Sequence, residues 1–280
     1  MHRALIASLR ILPLWFVYLG ASLFVVPVYM VTRRKGYLAQ YHFFRQRLHY
    51  GVLRSVAHVY RNHCLFAQAV IDRFYLFSGG RFRLDIDHYD LYNQLASAPE
   101  GFVILSAHVG CYEVAGAHLN ASTKPFNAVV FAGESETIQA SRRHTLSQNH
   151  IHIIPMSSDM SHVFAISAAL ERGEIVSIAG DRVFGSPRTV TCRFFDAEAP
   201  FPLGPFALAA QRSLPVLLIC VMKDGLKHYQ VNITRLDEGI AEGPIRERAK
   251  VLAQRYASAL EGVVRKYPNQ WYNYFEFWKP

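Results

Sequence analysis

The first 83 residues hold a single carboxylate, Asp72, against twelve lysines and arginines. The rest of the chain carries 18 basic and 20 acidic side chains, so the net charge of +9 belongs to the N-terminal end. A partner drawn by charge should meet that end. Charge is missing altogether from residues 11–32, "ILPLWFVYLGASLFVVPVYMVT". Such a run has about the 20 residues that cross a hydrocarbon layer. It is too long for the apolar core of a signal peptide, and no small-residue cleavage site follows it. Other absences narrow the function further. The four cysteines, Cys64, Cys111, Cys192 and Cys220, have no CxxC spacing, which suits reduced thiols in a cytosolic domain. The pairs His58/His63 and His150/His152 lack companion ligands, so no metal site is expected. There is no glycine-rich nucleotide fingerprint, no nucleic-acid-binding motif and no GxSxG elbow. Linkers, repeats and low-complexity tracts are also lacking.

What is present reads as a membrane anchor followed by one α/β unit. Trp15, Tyr18 and Tyr29 suit an interfacial belt, and Arg33, Arg34 and Lys35 close the apolar run. Pro13 and Pro27 leave two forms open, a spanning helix and a kinked segment in one leaflet. Residues 37–78 read as a basic, aromatic-rich helix stopped by Gly79 and Gly80. Its arginines offer a surface to anionic lipid or to an acidic carrier protein; a plain solvated face is the alternative.

From residue 81 short apolar runs alternate with helical stretches. "FVILSA" (102–107), "NAVVFA" (127–132), "HIIPM" (152–156) and "EIVSIA" (174–179) predict strands. Helices are predicted near 111–120, 135–148 and 159–172, the last capped by Asp159. "RTVTCRFF" (188–195), "PVLLICVM" (215–222) and "KHYQVNITRL" (227–236) add strands, the last two as a hairpin around Asp224 and Gly225. A long helix over 244–266 follows. The expected fold is a mixed, largely parallel sheet flanked by helices. The organisation read from this is an anchor and basic helical segment over 1–80 and an α/β domain over 81–280.

Chemistry in an open α/β sheet gathers at the carboxyl ends of strands. In "ILSAHVGCYEVAGA" (104–117), His108 stands at such an end and Glu113 follows at the start of a helix. A carboxylate on one ring nitrogen fixes the tautomer and leaves the other free to take a proton from a substrate hydroxyl. From spacing alone the signal is weak, and a satisfied structural histidine is the stronger reading. Ser106 lies too far back on the strand to be a nucleophile, so the pair suggests direct attack by an activated acceptor.

"HVGCYE" (108–113) resembles the H-x4-D/E signature of the glycerolipid and lipid A acyltransferase superfamily. "AGDRVFG" (179–185) resembles its strand-end Asp block, and "CRFFDAEAPFPLGPFALAAQRSLPVLL" (192–218) its later glycine–proline block. Their order is similar to the lipid A branch, of lauroyl and myristoyl type. Cys111–Tyr112 and Asp181–Arg182 stand where members often carry Asn–Trp and Asp–Gln. The resemblance implies fatty acyl transfer from an acyl carrier protein or coenzyme A thioester to a hydroxyl of a lipid acceptor. It implies an inner-membrane location and no cofactor beyond the co-substrate, and the ten basic residues against one acid over 33–83 predict a catalytic domain facing the cytoplasm. His108 is then the general base and Glu113 its orienting partner. Backbone N–H groups near Val109 and Gly110 are candidate oxyanion donors. Arg142, Arg143, Asp181, Arg182 and Gly204 are candidate substrate contacts. Phe206, Leu208 and Ala209 line an acyl groove or the core, and the aromatic tail "WYNYFEFW" (271–278) caps that groove, touches the membrane or docks on the domain. A thioesterase using the same pair, a catalytically silent membrane adaptor and an N-acylating enzyme stay open.

Overall fold

The computed structural model describes residues 9, 11–116, 119, 124–131, 151–156, 161–183, 188–211 and 213–278. The chain begins with an apolar helix, α1 (Leu14–Thr32), which carries a π turn at Ala21–Val25. Helix α2 (Arg34–His42) follows and runs into a second π turn, Phe43–Arg47. The single helix expected over 37–78 is broken here. His49 takes a left-handed φ of 55° and Gly51 is extended, so the backbone leaves the helical path before α3 (Val52–Phe77) begins. The predicted stop is correct: Gly79, at φ 91°, lets its N–H and that of Gly80 cap the carbonyls of Leu76 and Tyr75.

The remaining described elements are β1 (Arg83–Ile86), α4 (Tyr89–Ser97), β2 (Phe102–Ser106), α5 (Tyr112–Gly116), β3 (Phe126–Phe131), β4 (Ile151–Met156), α6 (Ser161–Glu171), β5 (Ile175–Ala179), β6 (Thr189–Phe194), β7 (Ala197–Pro202), α7 (Leu203–Gln211), β8 (Val216–Lys223), β9 (His228–Arg235) and α8 (Ile245–Lys266). Seven strands form one sheet in the order β1-β9-β8-β2-β5-β3-β4. Pairing is parallel except between β8 and β9, the predicted hairpin. The fold is therefore the mixed, largely parallel α/β sheet that the sequence predicts. The run at 188–195 does not join that sheet. It becomes β6, which pairs only with β7 in a separate hairpin. The helix predicted near 135–148 and the Asp159 cap lie outside the described residues.

Apolar side chains alternate along the central strands and feed two cores. Val103, Leu105, Val176 and Ile178 face α6, α7 and α8; Phe102, Ile104, Ile175 and Leu217 face α4, α5 and the start of α1. Strand β2 is covered on both faces, which accounts for its unbroken apolar run. Phe206 and Ala209 belong to the first core, so packing is their role there.

Candidate active site

Strands β2 and β5 are parallel neighbours in register, with Ser106 opposite Ala179. Continuing each chain by two residues sets His108 beside Asp181. The Asp181 carboxylate, only 2% exposed, receives the backbone N–H of His108 on Oδ2 at 2.8 Å and ring Nδ1 on Oδ1 at 2.7 Å. Nδ1–H donates to this carboxylate, which leaves Nε2 as the basic nitrogen. The imidazole is about one-third exposed, and Nε2 has no partner among the described residues.

The carboxylate bonded to the His108 ring is thus Asp181, where spacing points to Glu113. Glu113 lies in the first turn of α5, and its carboxylate pairs with Arg73 of α3 at 3.4 Å. It also accepts from the Cys111 thiol at 3.7 Å. A turn of helix after the strand end carries Glu113 toward the neighbouring helix, whereas the adjacent strand delivers Asp181 directly. Burial and the nearby Glu113 and Asp72 charges push the Cys111 thiol well up, so it is no thiolate nucleophile.

Burial by itself would raise the Asp181 carboxyl. The adjoining His108 charge, the two His108 hydrogen bonds and Arg182 outweigh it and hold the carboxyl below its ordinary value. A depressed carboxyl contributes stability above its unfolded-state value, about 3.9, and loses it as pH falls through the lower folded value. The stability gap between the wild type and Asp181→Asn should accordingly narrow as pH falls below about 4. Denaturant titrations across that range measure it, and a gap unchanged down to about pH 3 would contradict the assignment.

The loop carrying His108 is held on its other side by the C-terminal tail. Val109 and Trp271 form an antiparallel bridge, with Gly110 N–H donating to the Gln270 carbonyl and Tyr272 N–H to the His108 carbonyl, each at 2.9 Å. Gln270 in turn grips the backbone of Lys223 through both ends of its amide, at 2.8 Å each. Gln40 and Asn62, both fully buried, donate to the Trp271 carbonyl. The Trp271 ring is packed among Phe43, Phe194 and Phe277. Of the roles open to the aromatic tail, docking on the domain is the one the structure has.

Within this turn the amides are nearly all used. His108 N–H binds Asp181, Gly110 N–H binds Gln270, and Cys111 N–H binds the Val221 carbonyl at 2.8 Å. Val109 N–H alone, on a residue 3% exposed, lacks a partner in this turn from His108 to Cys111 among the described residues. Of the two expected oxyanion donors, Gly110 is therefore occupied and Val109 remains. Gly110 has a different necessity. It sits at φ 55°, and a Cβ there would lie 1.8 Å from the Val221 carbonyl oxygen, so only glycine fits this crossing.

The other expected contacts scatter. Arg182 is exposed and donates to the Tyr272 carbonyl at 3.3 Å, beside the His108 loop. Gly204 lies in the first turn of α7, one residue after that helix begins, with open space for 4 Å around the point a Cβ would occupy. Arg142 and Arg143 lie outside the described residues. Two features of the site are not legible in the sequence, namely the Asp181 partnership and the tail bridge. The first is visible only once the register of β2 and β5 is known.

No curated protein sequence matches the chain. The family model of the bacterial lipid A biosynthesis acyltransferases matches residues 81–279, a span that holds the sheet, the His108–Asp181 pair and nearly all of the tail that grips them. On that match the chain belongs to the bacterial lipid A biosynthesis acyltransferase family, and it is an acyltransferase.

Proposed function

We propose that the protein transfers a fatty acyl group from an acyl carrier protein or coenzyme A thioester to a hydroxyl of a lipid acceptor at the inner membrane. The observation that carries this is the exposed Nε2 of a histidine whose other nitrogen is fixed by a buried carboxylate at a strand end. Nε2 takes the proton of the acceptor hydroxyl as its oxygen attacks the thioester carbonyl. The Asp181 charge stabilises the resulting imidazolium. The developing oxyanion is met by the Val109 N–H. The carbonyl re-forms, the carbon–sulfur bond breaks, and the thiolate leaves with the proton from His108. Glu113 ties α5 to α3 through Arg73, and Arg182 stands where it can meet a phosphate of donor or acceptor. Arg142, Arg143 and Gly204 remain candidate substrate contacts from the family resemblance.

The membrane reading is supported by α1, the one helix among the described residues that is long and apolar enough to cross a bilayer. The basic excess between residues 33 and 83 favours a domain on the cytoplasmic side. Part of that excess is engaged by the protein's own rings: Arg54 stacks on Tyr50 at 3.8 Å and Arg47 on Trp278 at 4.6 Å. The exposed Arg33, Arg34, Lys35 and Arg61 are the better candidates to meet an acidic carrier or anionic headgroups.

Mass spectrometry of lipid extracts from cells with the wild type or His108→Ala tests the proposal. A lipid heavier by one acyl group, present only with the wild type, is expected. In a purified assay with acyl thioester and hydroxylated lipid, free fatty acid with no acylated lipid would make the protein a hydrolase instead.

A further inference from the structure

Helix α1 has two faces. Leu14, Tyr18 and Val26 are buried against the protein, while Trp15, Leu19, Phe24, Val28 and Val31 are exposed. Its buried face is attached to the globular body at both ends. Near the start, the Tyr18 hydroxyl donates to Asp72 of α3, which also receives the Lys223 ammonium at 2.6 Å and the Tyr229 hydroxyl. Midway, the Tyr60 hydroxyl of α3 donates to the Ser22 carbonyl at 2.8 Å. Toward the end, the Tyr29 ring lies 6.0 Å from the His63 ring. Helix α2 then begins two residues after α1 stops, and its Gln40 reaches the Trp271 carbonyl at 3.1 Å.

These attachments converge on one place. Lys223, which holds the start of α1, is gripped by Gln270; Gln40, which follows its end, binds Trp271. The start of α1, a helix about 28 Å long, and the helix α2 that follows its end are therefore tied to adjacent residues of one tail strand. A spanning helix would need its ends on opposite sides of about 30 Å of hydrocarbon. It would draw α3 into the bilayer with it, including the exposed Arg54 and Arg61 that flank Tyr60. An arginine carried to the bilayer centre is costly, because its charge must leave water.

We infer that α1 does not cross the membrane but lies along one leaflet, its exposed apolar face among the acyl chains and both ends on the side that holds the catalytic domain. The occupant of that face is a phospholipid leaflet, with Arg33, Arg34 and Lys35 level with the headgroups. The inference rests on the membrane reading above and deepens it. A helix docked in this way presents the lipid surface to the same body that carries His108.

The test uses the full chain in native membranes, with a single new cysteine at Ile11→Cys or at Lys35→Cys, both exposed. The four native cysteines are all buried. A membrane-impermeant maleimide is applied to right-side-out and to inverted vesicles. Labelling of both positions from the same side is expected. Labelling from opposite sides would overturn the inference while leaving membrane attachment intact. A chain absent from the washed membrane fraction would instead sink the membrane reading itself. A second readout needs no topology assay. A nitroxide at Phe24→Cys in reconstituted phospholipid vesicles should report a depth of about 5–10 Å below the headgroups. A depth near the midplane, about 15 Å, would again mean a spanning helix.

Discussion

His108→Ala lowers kcat by about 10²–10⁴-fold, with the fold intact by circular dichroism. Asp181→Asn falls in the same range, because the imidazole loses both its fixed tautomer and the charge facing its protonated form. The double variant is no worse than the poorer single, since the two residues act as one unit. Glu113→Gln behaves differently. Its carboxylate touches Arg73 and Cys111, so its loss multiplies onto that of either site variant. Steady-state kinetics on the three singles and the two doubles with His108→Ala decide the matter. If Glu113→Gln proves silent in the His108→Ala background and Asp181→Asn does not, the orienting role passes back to Glu113.

The second large effect is on stability. Lys223 and Asp72 form an ion pair with side chains 7% and 0% exposed, closed by the hydroxyls of Tyr18 and Tyr229. Burial pulls the Lys223 ammonium down from its usual value, and Asp72 pulls the other way without overcoming it. Removing one partner strands the other charge in a dry site. Asp72→Ala should destabilise the protein by about 3–5 kcal/mol, read as a lower denaturation midpoint in detergent. Adding Lys223→Met to Asp72→Ala should recover much of the loss, as a shape-matched apolar replacement removes the stranded ammonium. A double variant as unstable as the single would show that the cluster acts through something other than its charges.

The legible parts of the fold are those whose signal is local. Strands β2, β5 and β8 carry apolar runs because helices cover both their faces, and the Asp224–Gly225 pair marks the turn into β9. Strand β1, "RLDI", and strand β7, "AEAPFP", carry no such signal. The first is a polar, half-exposed edge, and the second pairs only with β6. The break between α2 and α3 is hidden because His49, an unremarkable residue in sequence, takes the left-handed turn. At the site, the motif locates His108 at a strand end, and its position there is correct. Its partner is not legible from spacing, since Asp181 comes from a strand 73 residues away and is matched to His108 only through sheet register. The tail bridge is a contact of the same kind, and nothing in "NQWYN" marks it as one.

That bridge also bears on how the protein acquires its activity. The Trp271 carbonyl is held by Gln40 and Asn62, 231 and 209 positions away, and the strand it belongs to pins Val109. The working loop is therefore built from both extremes and the middle of the chain. Contacts this far apart in sequence demand closure of the largest loops, and they form after local helices and hairpins have condensed. Competence for catalysis therefore waits on the longest-range contacts of the fold.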